Sequence, residues 1–159
     1  MSSDKKKAMG IMIVAENKKA RFDYTIVETF EAGLVLTGSE VKSIRAKQMQ
    51  LKDSYISFVG DEAFLQNSHV AEYKNSSYNN HVPERLRKLL LNRRELNEIY
   101  GALRERGLTC VPLKVYFKDG RVKLEIALVK GKKAHDKRES IKKRDVNLEI
   151  KKSLQRSRR

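Results

Sequence analysis

The stretch from Tyr116 to Arg144, YFKDGRVKLEIALVKGKKAHDKRESIKKR, changes character half-way along. Val115 and Phe117 alternate with polar neighbours, Asp119-Gly120 stands where a two-residue turn belongs, and Val122, Leu124 and Ile126 resume the alternation. That is the pattern of a β-hairpin with one buried face. After Leu128 and Val129 the alternation stops at Gly131 and Lys and Arg take over. From Lys130 to Arg159 there are 13 Lys and Arg against 4 Asp and Glu, a balance of +9 out of +15 for the whole chain. A folded body therefore gives way to a cationic tail.

Three divisions are expected: a mobile, polar N-terminus over 1–10, a single domain over 11–130, and a basic tail over 131–159. With 159 residues there is room for one domain of ordinary size around one core. No apolar run reaches membrane-spanning length and no signal-peptide core is present, so a cytoplasmic protein without membrane attachment is expected. The single cysteine, Cys110, suits a reducing compartment. A net charge of +15 with pI ≈ 10.0 points to an anionic polymer as partner.

Moving outward from the hairpin, Ile11–Ala15 reads as a short strand buried on both faces. Tyr24 with Ile26, and Leu34 to Leu36, read as two strands separated by a bend at Glu31-Ala32-Gly33. Residues 38–45, GSEVKSIR, read as a helix capped by Ser39, with Glu40 in its first turn. Tyr55 to Val59 and Ala63 to Leu65 form a hairpin about Gly60-Asp61, and a polar loop runs from Glu72 to Val82. Glu84–Arg106 carries two apolar stripes, out of phase at Asn92. The spacing predicts two helices broken there, the second opened by an Asn92–Glu95 capping box and ended by Gly107. Thr109 to Lys118, with Pro112 near an edge position, leads back to the hairpin. Six or seven antiparallel strands and three short helices predict a mainly β fold, a small closed barrel that hides its strand edges.

Catalytic chemistry is missing from the pattern. His69, His81, Cys110 and His135 lack metal-ligand spacing, and there is no phosphate-binding glycine loop or nucleophile elbow. No cofactor, metal or catalytic residue is assigned. Binding remains. Arg85, Arg87, Lys88, Arg93 and Arg94 surround the Asn92 break, Lys18, Lys19 and Arg21 precede the first long strand, and Lys42 and Arg45 share one helix face. Such groups contact phosphates, which sets position without reading sequence. Glu31 and Asn92 supply the acceptor and amide that base or ribose edges need.

The segments FEAGLVLTGSEVKSIRA (30–46), DSY (53–55), EAFL (62–65), RKLLLNRREL (87–96), GLTCVPLKVYFKDGRVKLEIALVKGKKAHDKRE (107–139) and KRD (143–145) resemble the bacterial SsrA-binding protein family, small protein B. The likeness runs in order along nearly the whole chain, and GKKAHDKR is specific to that family. It implies an oligonucleotide-binding-type β-barrel with flanking helices, acting as a monomeric adaptor that partners transfer-messenger RNA in rescuing stalled ribosomes. It further implies RNA contacts at Glu31, Leu90, Asn92 and Lys123, to which the basic reading adds Lys18, Arg21, Lys42 and Arg45. The tail is expected to be disordered when free and to enter the empty messenger channel. There Lys132, Lys133, His135, Asp136, Lys137 and Arg138, followed by Lys142, Lys143 and Arg144, would meet ribosomal RNA near the decoding centre. With no Pro or Gly after Gly131, it is helix-capable but too poor in apolar residues to fold alone. The competing readings are a protein bound permanently to ribosomal RNA and an RNA-modifying enzyme.

Overall fold

The computed structural model of the chain describes residues 10–74, 80–105 and 107–131. Among these, nine strands and three helices follow in the order β1 (Ile11–Glu16), α1 (Lys18–Asp23), β2 (Tyr24–Leu34), α2 (Gly38–Arg45), β3 (Met49–Gln50), β4 (Tyr55–Val59), β5 (Glu62–Gln66), β6 (His69–Val70), β7 (Arg87–Leu90), α3 (Arg93–Glu105), β8 (Thr109–Lys118) and β9 (Arg121–Gly131). The main sheet is antiparallel in the order β1-β8-β9-β2-β7-β5-β4, and β3 pairs separately with β6.

Both hairpins follow from their turn residues. Asp119 (φ 52°) and Gly120 (φ 78°) take the left-handed conformations of a primed turn, closing Lys118 onto Arg121. Gly60 (φ 61°) does the same between Val59 and Glu62. Register shifts at residues 13–15 of β1, 26–28 of β2 and 112–114 of β8 mark bulges that bend the sheet. It curls until β4 lies against β8 and β1 against β3, yet β1 and β4 remain its two edges. The oligonucleotide-binding-like architecture holds, while the expected closure does not. Val115, Leu124, Ile126 and Leu128 line the concave face with Ile44, Leu65 and Ile99, all essentially inaccessible to solvent.

Three readings of the sequence need correction, and one helix was not foreseen. The span from Tyr24 to Leu34 is one strand, and its bulge falls near Val27, not at 31–33. Residues 18–23 form a helix, α1, whose N-cap Asn17 accepts a hydrogen bond from the Ala20 N–H and donates to the Pro112 carbonyl. Residues 87–90 are strand, not helix: β7 pairs Leu90 with Gly33 and Leu65 with Arg87, so only one helix, α3, follows Asn92. The α2 cap is Thr37, whose backbone N–H donates to Glu40 Oε1 at 2.9 Å, while the Ser39 hydroxyl bonds His81 Nδ1 instead.

The most consequential burial is ionic. Glu40 on α2 and Arg87 on β7 are both fully buried, with Arg87 Nε 2.5 Å from Glu40 Oε2 and Arg85 Nη2 2.6 Å from Oε1. Arg87 spends its other donors on the Ser68 hydroxyl and on the carbonyls of Ser68, Arg85 and Pro83. Burial alone pushes the Glu40 carboxyl up, but the hydrogen bonds from Arg85 and Thr37 and the charge of Arg87 outweigh it, holding it at about 2. Removing one partner of such a pair strands a buried charge, so Glu40→Ala is expected to cost about 3–5 kcal/mol in chemical denaturation. Because the folded carboxyl titrates below its ordinary value, its contribution is complete above about pH 4.5 and disappears as pH falls toward about 2. Acid unfolding of Glu40→Gln should lack that component. A wild-type acid profile in Glu40→Gln would contradict this account.

Candidate nucleic-acid interface

Strand alternation divides β9 between two environments. Val122, Leu124, Ile126 and Leu128 face the main core, and Lys123, Glu125, Ala127 and Val129 face outward. At one end of that outer face α1 supplies a cover: Ala20 packs with Val111, Leu113, Ala127 and Val129, with Tyr24 alongside. The other end is left bare. There the register sets Tyr116, Lys123, Gly33 and Leu90 in one row across β8, β9, β2 and β7. The next row places Lys114, Glu125 and Glu31 side by side.

Four of the positions expected from the sequence meet on or beside this patch. Leu90 is 53% exposed although it ends a strand. It lies over Gly33, where an added Cβ would stand 3.2 Å from the Leu90 Cβ, so the glycine leaves room for the leucine. Asn92 follows two residues later at the start of α3. Its Oδ1 accepts the Glu95 N–H at 2.8 Å and its Nδ2 donates to Glu95 Oε1 at 2.6 Å, the capping box read from the sequence. Glu31 and Lys123 come from neighbouring strands. Arg21 reaches the same face from α1, 4.0 Å from Glu125 Oε1, while Lys114 stands 3.3 Å from Glu125 Oε2. Lys18 is exposed nearby on α1, where it lines a surface groove with Lys19, Arg21 and Phe22.

Lys42 and Arg45 are elsewhere. Lys42 lies over the Tyr73 ring at 5.4 Å, and Arg45 lies over Phe117, also at 5.4 Å. Phe117 alternates with Tyr116 and points to the opposite face of β8, so α2 carries a separate basic surface. The expected arginine cluster around Asn92 also changes. Arg87 is buried and bound to Glu40, Lys88 pairs with Glu62 at 3.1 Å, and Arg93 stands 3.9 Å from Asp61. The tail residues Lys132, Lys133, His135, Asp136, Lys137, Arg138, Lys142, Lys143 and Arg144 lie outside the described residues.

Two side chains that sequence reasoning passed over hold the acid of the patch. Tyr116 Oη donates to Glu31 Oε2, and Lys118 Nζ sits 3.4 Å from both Glu31 oxygens. The tyrosine hydrogen bond, together with Lys118 and Lys123 and against the opposing effect of partial burial, lowers the Glu31 carboxyl below its ordinary range. Burial and Glu31 push the Tyr116 phenol up in turn. The result is a charged acceptor fixed among lysines, beside an exposed leucine: groups suited to donor edges and phosphates of a nucleic acid.

A family model described as "SmpB protein" matches residues 14–156. The chain belongs to the SmpB family. It is 76% identical over 148 residues to the SsrA-binding protein of Bdellovibrio bacteriovorus, covering 93% of this chain and 97% of that one. It is 58% identical over 136 residues to the SsrA-binding protein of Agrobacterium fabrum, covering 85% of each. A solved structure described as "tmRNA-SmpB: a journey to the center of the bacterial ribosome" matches with a TM-score of 0.64 and 44% identity, over 79% of this chain and 86% of that one. Among the described residues of this SmpB-family chain, no helix is long and apolar enough to cross a membrane.

The Asn92 cap separates two substitutions. Asn92→Ser keeps an oxygen for the Glu95 N–H and is expected to lower unfolding free energy by less than about 0.5 kcal/mol, whereas Asn92→Ala should lose about 1 kcal/mol. Equal stabilities in urea denaturation would show that the cap contributes nothing.

Proposed function

We propose that this chain is an RNA-binding adaptor, without catalytic activity of its own, that binds the tRNA-like part of transfer-messenger RNA and brings it to stalled ribosomes. The observation that carries this reading is the convergence of Glu31, Leu90, Asn92 and Lys123 on one bare patch in a chain of the SmpB family. In this reading Lys18 and Arg21 extend the patch toward the RNA backbone, and Lys42 with Arg45 form a second basic contact on the other side of the sheet. The protein acts as a monomer in the cytoplasm, where ribosomes are. Beyond β9, residues 132–159 follow the empty messenger channel, with Lys132, Lys133, His135, Asp136, Lys137 and Arg138 near the decoding centre and Lys142, Lys143 and Arg144 against ribosomal RNA beyond it. Phosphate contacts give that tail its affinity, and ordering on binding gives it a defined path.

Two variants divide binding from delivery. Lys123→Ala should weaken binding to transfer-messenger RNA by roughly three- to tenfold and flatten its salt dependence by about one phosphate contact. The triple change of Asp136, Lys137 and Arg138 to Ala alters net charge by one unit. It should bind the RNA normally while failing to support peptide tagging in a reconstituted stalled-ribosome assay. Normal tagging by the triple variant would contradict the role given to the tail, and unchanged RNA binding by Lys123→Ala would contradict the role given to the patch.

A further inference from the structure

Glu31 does not point straight away from the sheet. Its register partner on β9 is Glu125, a like charge directly opposite it. Glu125 is occupied by Lys114 and Arg21. Glu31 instead reaches across β9 to β8, the second strand over, where Tyr116 and Lys118 receive it. Strands two apart are about 10 Å distant, so the carboxylate lies along the face beside Lys123 and is anchored from the far side. Tyr116 is well placed to anchor it: the ring is 5% exposed, pairs in register with Lys123, and has the Lys114 ammonium 5.7 Å from its centroid.

An anion on a basic patch repels phosphate, so its partner on an RNA must be a donor. The exposed Leu90 beside Gly33 offers an apolar floor one row away, the kind of surface on which an unpaired base lies flat with its edge free. We propose that Tyr116 is a positioning residue for RNA recognition: its hydroxyl occupies Glu31 Oε2 and turns Oε1 toward the edge N–H of an unpaired nucleobase seated over Gly33 and Leu90. This rests on the reading of the patch as the RNA-binding surface. Lys118, 3.4 Å from both oxygens and 42% exposed, is a looser second support.

The test is a double-mutant cycle in the full-length chain, with affinity for transcribed transfer-messenger RNA as readout at neutral pH. Tyr116→Phe keeps the buried ring and removes one oxygen, so the fold is retained. Glu31→Gln should weaken binding about tenfold, the scale of one charge-assisted hydrogen bond. Tyr116→Phe should weaken it several-fold, and the double variant should be no weaker than Glu31→Gln alone, because the tyrosine acts through the carboxylate. A structural role for Tyr116 would instead add its penalty in both backgrounds, and additivity would overturn the proposal. Wild-type affinity in Tyr116→Phe with a weak Glu31→Gln would also overturn it while leaving the RNA-binding patch intact. Wild-type affinity in Glu31→Gln would remove the contact itself.

A pH profile gives an independent readout. The charged and titratable groups around Glu31 are Tyr116 and Lys118 on β8, Lys123 and Glu125 on β9, and, through Glu125, Lys114 and Arg21. With the phenol gone the Glu31 carboxyl rises toward its ordinary value. Tyr116→Phe should therefore lose RNA affinity at a higher pH than wild type as the solution is acidified. Coincident profiles would contradict the positioning role.

Discussion

A carboxylate buried between two arginines holds this molecule together. The sheet consists of a four-strand portion, β1-β8-β9-β2, and a two-strand portion, β5-β4, and β7 alone joins them. It does so with two register pairs on each side, Gly33 with Leu90 and Leu34 with Leu89, Phe64 with Lys88 and Leu65 with Arg87. So short a bridge needs an anchor, and Arg87 supplies it by turning into the interior and binding Glu40 of α2. Arg85 closes the same carboxylate from the other oxygen and also donates to the Val35 carbonyl just past β2. Every donor and acceptor counts in such a place, and among the described residues no buried side-chain polar atom lacks a partner.

From that anchor the proposed recognition surface follows. Leu90 ends β7 and Asn92 opens α3, so both are positioned by the strand that Glu40 fixes. On the other side of Gly33 the long β8–β9 hairpin carries Lys123, Tyr116 and Lys118. Helix α1 covers the outer face only as far as Ala127 and Val129. Where its cover ends, the strands switch from apolar to charged outward residues, and the patch begins.

Much of this was legible where local chemistry decides. The turns at Gly60 and at Asp119-Gly120, the helix at 38–45 and the Asn92 capping box depend on residues a few positions apart. The failures share a cause, which is that distant partners set the outcome. Leu86, Leu89 and Leu90 suit a helical stripe, and the alternation that marks β7 as a strand is hidden because its inward position is an arginine. Arg87 reads as a phosphate contact until Glu40, 47 positions away, is brought to it. The strand at 24–34 looked broken at Gly33 because the leucine that fills that space comes from β7. The positions proposed for RNA contact came from family resemblance, not from spacing. Tyr116, 85 residues from Glu31, becomes visible as its partner only when β8 and β2 are set on either side of β9.

The central claim is that the bare end of the outer face, between β7 and β8, receives the RNA. Hydroxyl-radical footprinting of the full-length chain, with and without transfer-messenger RNA, tests it most directly because each side chain reports its own cover. Leu90, 53% exposed, should become protected when RNA binds, while Tyr55 and Val59 on the far edge strand β4, exposed by 40% and 62%, should react as before. Protection at Tyr55 and Val59 with none at Leu90 would contradict the account.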